Sequence, residues 1–170
     1  FPAQSDEDDL IFYDPMDPEK ELGRLRFTLC IGKGRKDKFS ANQYFQSKSS
    51  GNMDVAGLSI ATSGREADEA VAWFKENHDM ESALYLQGLG DRTAEDLTEY
   101  IHNLLRQRVG YKKGKPGKRY SPGYPALENM ENNRVLYEIL SGADIGVALT
   151  EAYEFDPAST TGCVICFHPE

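Results

Sequence analysis

Apolar and polar positions alternate in short runs over the first third of the chain and then shift to a spacing of three to four. That shift predicts strands followed by helices. "DDLIFY" (8–13) reads as a short strand, closed by Asp14-Pro15 and Asp17-Pro18, which favour turns. "RLRFTLCIG" (24–32) puts Leu25, Phe27, Leu29 and Ile31 on one face of a half-buried strand. In the following "GKGRKDKFS", Gly32 and Gly34 make a Gly-x-Gly without the third glycine or the helix of a dinucleotide fingerprint, so the segment reads as a hairpin tip. "DVAGLSIATSG" (54–64) gives another strand with Leu58, Ile60 and Thr62 in phase.

Ser63 and Glu66 have capping-box spacing, and Ala67, Ala70, Val71 and Phe74 then recur at helical intervals, which predicts a helix over 65–77. From Met80 to Val109 a long helix is expected, with Leu97, Ile101, Leu104 and Leu105 as its apolar stripe and an irregularity near Gly88 and Gly90. The Lys- and Gly-rich stretch 110–118 is a loop. "ENNRVLYEILSG" (131–142) predicts a shorter helix ended by Gly142. "GVALTEAYEF" and "STTGCVICF", split by Asp156-Pro157-Ala158, read as the two strands of a hairpin. Strands and helices do not alternate strictly, so the expected class is α+β: one domain, a twisted and largely antiparallel sheet with flanking helices.

At 170 residues the chain fits one domain. A net charge of −9 argues against general attraction to nucleic acid, and no run of the sequence is apolar enough to span a membrane. The start carries no secretion-signal pattern, which points to a cytoplasmic protein. Phe1 at the start and Glu170 directly after His168-Pro169 suggest a piece of a larger protein. Basic residues concentrate in one stretch, Arg106, Arg108, Lys112, Lys113, Lys115, Lys118 and Arg119, a patch able to dock an acidic partner. Cys163 and Cys166 have CxxC spacing with His168 close by, yet they lie in a strand pattern that sends the two thiols to opposite faces, and there is no second cysteine pair. They read as buried strand cysteines, with no metal site.

The most constrained stretch follows that basic patch. In Ser121-Pro122-Gly123-Tyr124, proline fixes φ at the second position and glycine accepts positive φ at the third, which specifies a type II turn. Pro125 holds Tyr124 extended. Such a segment has little freedom left to lose on binding a ligand. Arg119 adds a planar fork of donors suited to a carboxylate or phosphate, and Tyr124 an aromatic body with a polar tip.

"RYSPGYP" (119–125), preceded by "TAEDLTEYIH" (93–102) and followed by "LTEAYEFDPASTTG" (149–162) and "FHP" (167–169), closely resembles the activation domain of cobalamin-dependent methionine synthase. That family shows Arg-x-x-x-Gly-Tyr-Pro, an Ala-Glu helix reaching a histidine, and Thr-Glu-Ser/Ala…Pro…Ser…Gly ending near His-Pro. "FPAQSDEDDLIFY" (1–13) and "DVAGLSIAT" (54–62) match its earlier segments, so the likeness covers nearly the whole chain.

The resemblance implies reductive reactivation: the domain presents S-adenosylmethionine over a cobalamin held mainly by the cobalamin-binding domain, while flavodoxin or a related reductase supplies an electron. It implies membership of a methyltransferase of methionine biosynthesis, with no turnover by the isolated domain. Carried over residue by residue, the S-adenosylmethionine contacts fall on Asp54, Glu95 and the Arg119 turn. Arg119 would meet the ligand carboxylate, Glu95 its positive charge, and Asp54 the nucleoside or amino end. Backbone groups around Ser121 and Gly123 would meet the adenine, and Tyr124 would face the corrin. His102 is read as a packing or hydrogen-bonding histidine, and His78 and His168 as structural. The family's tyrosine-containing strand after His-Pro has no counterpart before Glu170. The competing reading is a docking module in which Lys112, Lys113, Lys115 and Lys118 grip an acidic, flavodoxin-like partner and the ligand site is vestigial.

Overall fold

The computed structural model describes residues 1–31, 38–110 and 117–167, with only the backbone of Cys30 and Ile31. The expected hairpin tip at Gly32 and Gly34, the lysines 112, 113 and 115, and His168 lie outside the described residues. Strands β1 (Pro2–Asp6), β2 (Asp9–Asp14) and β3 (Asp17–Arg26) form a meander. β4 (Cys30–Ile31) pairs antiparallel with β5 (Lys38–Phe39). After β6 (Asp54–Thr62) come α1 (Arg65–Glu76) and α2 (Met80–Arg108), then β7 (Lys118–Tyr120) and α3 (Asn132–Ile139). β8 (Ala148–Leu149), β9 (Phe155–Asp156) and β10 (Thr160–Cys166) complete the chain.

Six strands make one antiparallel sheet in the order β3-β2-β1-β6-β10-β7, as the α+β expectation requires. β6 and β10 lie inside it, so their residues are buried on both faces and lose the simple alternation of a half-exposed strand. Strand registry therefore splits the cysteines: Cys166 packs in the main core with Leu10, Phe12, Leu58, Leu136 and Val164, and Cys163 packs with Ile165, Phe167 and Leu105 beneath α2. Both are buried, and neither forms a disulfide among the described residues. Among the described residues, no helix is long and apolar enough to cross a membrane.

Several expectations are corrected. Asp17-Pro18 opens β3 rather than a turn, and Leu29 is 52% exposed. Ser63 does not cap α1: the N-cap is Gly64 without a side-chain bond, and the Ser63 hydroxyl donates to the Ser159 carbonyl. A tertiary partner outcompetes the local cap. Gly142 does not end α3. Its C-cap is Leu140, the left-handed residue is Ser141, and Gly142 opens a 3₁₀ turn packed under the Tyr137 ring. The final hairpin does not form either. β9 pairs with β8, whereas β10 runs between β6 and β7.

The largest correction concerns α2. It is one continuous 29-residue helix through Gly88 and Gly90, and its buried residues are Ala83, Gly90, Ala94, Thr98 and His102. Of the predicted stripe, Leu97 is 41% and Leu104 36% exposed. Small side chains let α2 approach the sheet closely; at Gly90 a Cβ would stand 2.7 Å from Ser159 Oγ.

Candidate functional site

The approach of α2 to β7 and to the loop before β10 leaves two adjoining clefts, of about 460 and 520 Å³. Glu95, Ser121 and Tyr124 line both, so the two form a single trough. At successive turns of α2, Glu95, Glu99, His102 and Arg106 face the second cleft. Arg119 enters from β7, where it stands opposite Ile165 of β10, on the α2 side of the sheet.

The Arg119 guanidinium lies 3.1 Å from the Glu99 carboxylate, and its charge acts on the Cys163 thiol. Burial pushes that thiol up to about 12, with Arg119 only partly opposing the shift, so Cys163 is an unreactive neutral neighbour. His102 is 5% exposed and its Nε2 has no partner among the described residues. Burial lowers its pKa, Glu99 opposes, and Arg106 and Arg119 reinforce the fall, so it is a neutral imidazole in the wall. This agrees with a packing role.

The turn after Arg119 forms as expected. Gly123 has φ +88° and the Tyr124 amide faces the Ser121 carbonyl at 3.4 Å. What sequence did not show is how the turn is anchored. The Gly123 amide donates to the Leu127 carbonyl at 2.9 Å, the Leu127 amide returns to the Tyr124 carbonyl at 2.8 Å, and Leu127 is fully buried. The Gly123 amide is thus already engaged, and Ser121, Pro122 and Tyr124 are the turn residues that face the trough. Tyr124 is 65% exposed at its mouth.

The opposite wall is the segment Glu154–Gly162. Asp91 accepts from Ser159 Oγ at 2.7 Å and from Gln87 at 3.1 Å, Asp68 accepts from the Ala158 amide at 2.8 Å, and Arg65 bridges to Asp156 at 2.8 Å. Asn133 of α3 holds the Tyr153 carbonyl at 2.9 Å. Gly162 is required here, because a Cβ would stand 2.8 Å from the Phe155 ring and 3.0 Å from Leu136.

Glu95, Arg119, Ser121 and Tyr124 therefore meet in one trough. Asp54 does not join them. At the start of β6 its carboxylate accepts from the Gln46 amide at 3.3 Å and from its own neighbour Val55 at 2.8 Å, and it lines neither cleft. Its place is that of a strand-opening residue. Lys118 lines the second cleft beside Arg119, so it belongs to the trough more than to a separate patch. Sequence reasoning missed Asp91, Asn133 and Ser159. Asp91 could have been found one turn before Glu95, and Ser159 lay unassigned within a quoted motif.

The first cleft carries Asp91 and Glu154, the second carries Arg106, Lys118 and Arg119 beside Glu99, and Glu95 lines both. This defines an α+β domain whose main cleft is lined by both acidic and basic side chains. The profile described as "Vitamin B12 dependent methionine synthase, activation domain" matches residues 1–170, and the chain belongs to that family. Methionine synthase of Mycobacterium leprae is 24% identical over 99% of this chain, and that of Mycobacterium tuberculosis 26% identical over all of it. The chain spans only 16% of either relative's length. A crystal structure of the MetH reactivation domain bound to AdoHcy superimposes with a TM-score of 0.87 at 24% identity, covering all of this chain and 57% of that one.

Proposed function

We propose that the trough holds S-adenosylmethionine and that the chain is one module of a methionine synthase, serving reductive methylation of a cobalamin held by another module. The observation that carries this reading is the meeting of an acidic cleft and a largely basic one in a single trough, with Glu95 lining both. Arg119 receives the ligand carboxylate, exchanging its partly exposed bond to Glu99 for a bidentate one. Asp91 and Glu95 face the sulfonium and ammonium charge, and Ser121 and Pro122 border the adenosine. Asp54 is left outside the contact set.

When bound, S-adenosylmethionine supplies an electrophilic methyl group, and the protein contributes position and charge. Tyr124, exposed at the mouth, meets the corrin face of the partner module. A flavodoxin-like reductase is the electron source in this scheme, the setting is cytoplasmic, and the isolated chain turns nothing over. AdoHcy bound to the solved reactivation domain supports the ligand class. A separate docking function gains no comparable support, since Lys118 shares the trough with Arg119.

Calorimetric titration of this chain with S-adenosylmethionine tests the reading. Saturable binding at one site, lost on Arg119→Ala, is the expected result. Equal affinity of the wild type and the variant would remove the trough as the ligand site.

A further inference from the structure

Asp91 stands on an exposed part of α2 and lines the first cleft, yet its carboxylate is not free to turn. Three polar side chains close a triangle. Ser159 Oγ donates to Asp91 Oδ1 at 2.7 Å, and Gln87 Nε2 donates to the same oxygen at 3.1 Å and to Ser159 Oγ at 3.0 Å, so both protons of the Gln87 amide are used. Every hydrogen bond that Asp91 makes among the described residues goes to Oδ1, which leaves Oδ2 open.

The triangle is held from both sides. Gln87 lies one turn before Asp91 on the same helix. Ser159 is 2% exposed, its carbonyl accepts from the Ser63 amide at 3.0 Å and from Ser63 Oγ at 3.3 Å, and the Ala158 amide beside it is held by Asp68 at 2.8 Å. The missing side chain of Gly90 leaves the space that Ser159 Oγ occupies. An exposed aspartate ordinarily exchanges rotamers and turns either oxygen outward. Here that freedom is already lost in the unliganded protein, so a ligand meeting Oδ2 does not have to order it.

We propose that Ser159 and Gln87 are positioning residues that present Asp91 Oδ2 to the sulfonium of bound S-adenosylmethionine, and that the trough thereby prefers the methylated ligand to its demethylated product. The inference rests on the functional reading above and deepens it. A sulfonium carries a full positive charge beside its methyl group. When the methyl group leaves, the C–S bonding pair stays on sulfur and a neutral thioether remains. A carboxylate oxygen in a fixed place attracts the first and only loses hydration beside the second. Glu95 lines both clefts without comparable bonds among the described residues and faces the ammonium group, which both ligands share. Discrimination between substrate and product therefore falls to Asp91 and, through it, to Ser159 and Gln87.

Calorimetric titrations of the wild type, Ser159→Ala and Gln87→Leu, with S-adenosylmethionine and separately with AdoHcy, test the proposal. The wild type should hold S-adenosylmethionine at least about tenfold more tightly than AdoHcy. Each variant should shrink that ratio at least about threefold, mainly through weaker binding of the sulfonium ligand. Loosened packing alone would weaken both ligands alike and leave the ratio intact. Ser159 is buried, so a melting curve accompanies its variant, and the half-buried Gln87 decides the matter if Ser159→Ala does not fold. An unchanged ratio in a folded variant would overturn the proposal, as would a wild type that binds the two ligands equally. A wild type that binds neither would overturn the reading of the trough itself, and this inference with it.

Discussion

The two faces of the central strands differ in what packs on them. Toward α3 the sheet is closed by large apolar side chains, with Leu10, Phe12, Leu25, Leu127, Leu136 and Val164 all fully buried. Toward α2 the buried apolar set is small, Cys163, Ile165 and Phe167 with Leu105, and the helix contributes Gly90, Ala94, Thr98 and His102 to its buried side. The first face supplies stability by apolar burial. The second accepts looser, polar contact and obtains a trough. Stability and recognition are therefore separable by mutation.

The sharpest break in that comparison is Leu136→Ala, on the closed face. Removing a fully buried leucine should cost about 2–5 kcal/mol in chemical denaturation, with ligand affinity of the remaining folded protein unchanged. Arg119→Ala on the α2 face should do the reverse. Calorimetry should show about 2–4 kcal/mol of lost S-adenosylmethionine affinity, whereas the melting temperature should hardly move, because the bond to the half-exposed Glu99 contributes about 0–1 kcal/mol.

Gly90→Ala sharpens the contrast further. Helix propensity alone predicts a gain of about 1 kcal/mol, but the new Cβ would stand 2.7 Å from Ser159 Oγ and 3.2 Å from its Cβ. A net loss of about 1 kcal/mol in denaturation is expected, with weakened ligand binding as Ser159 leaves Asp91. The smallest effect concerns His102. Its folded pKa is depressed, so the unfolded chain takes up the proton first, and stability should decline as pH falls below the unfolded value of 6.5 and level off beneath the folded one. His102→Phe should flatten that part of a melting-temperature profile between pH 7.5 and 5.

Much of this arrangement was legible. The strand at 54–62, the helix over 65–77, the span of α2 and the positive φ at Gly123 follow from periodicity and turn chemistry, which act over a few residues. What failed depends on partners distant in sequence. Ser63 has a good capping pattern, but its hydroxyl finds Ser159. Leu97 and Leu104 make a convincing stripe, but closeness to the sheet selects the small residues Gly90 and Ala94 instead. β10 looked like half of a local hairpin because pairing partners such as Ser59 and Arg119 cannot be seen from within its own segment. Of the residues assigned to the site, Glu95, Arg119, Ser121 and Tyr124 line one trough and Asp54 lies apart from it, since residue type at a strand start says little about which end of the sheet it occupies.

The bonding of the Gly123 turn to Leu127 has a thermal consequence. Because a fully buried leucine ties the recognition turn to the main core by two backbone bonds, the turn should have no melting transition separate from that of the core. On warming, the turn's infrared and fluorescence signatures should persist to the global midpoint and vanish with it, which would make this wall of the pocket a fixed fitting wherever the protein is folded.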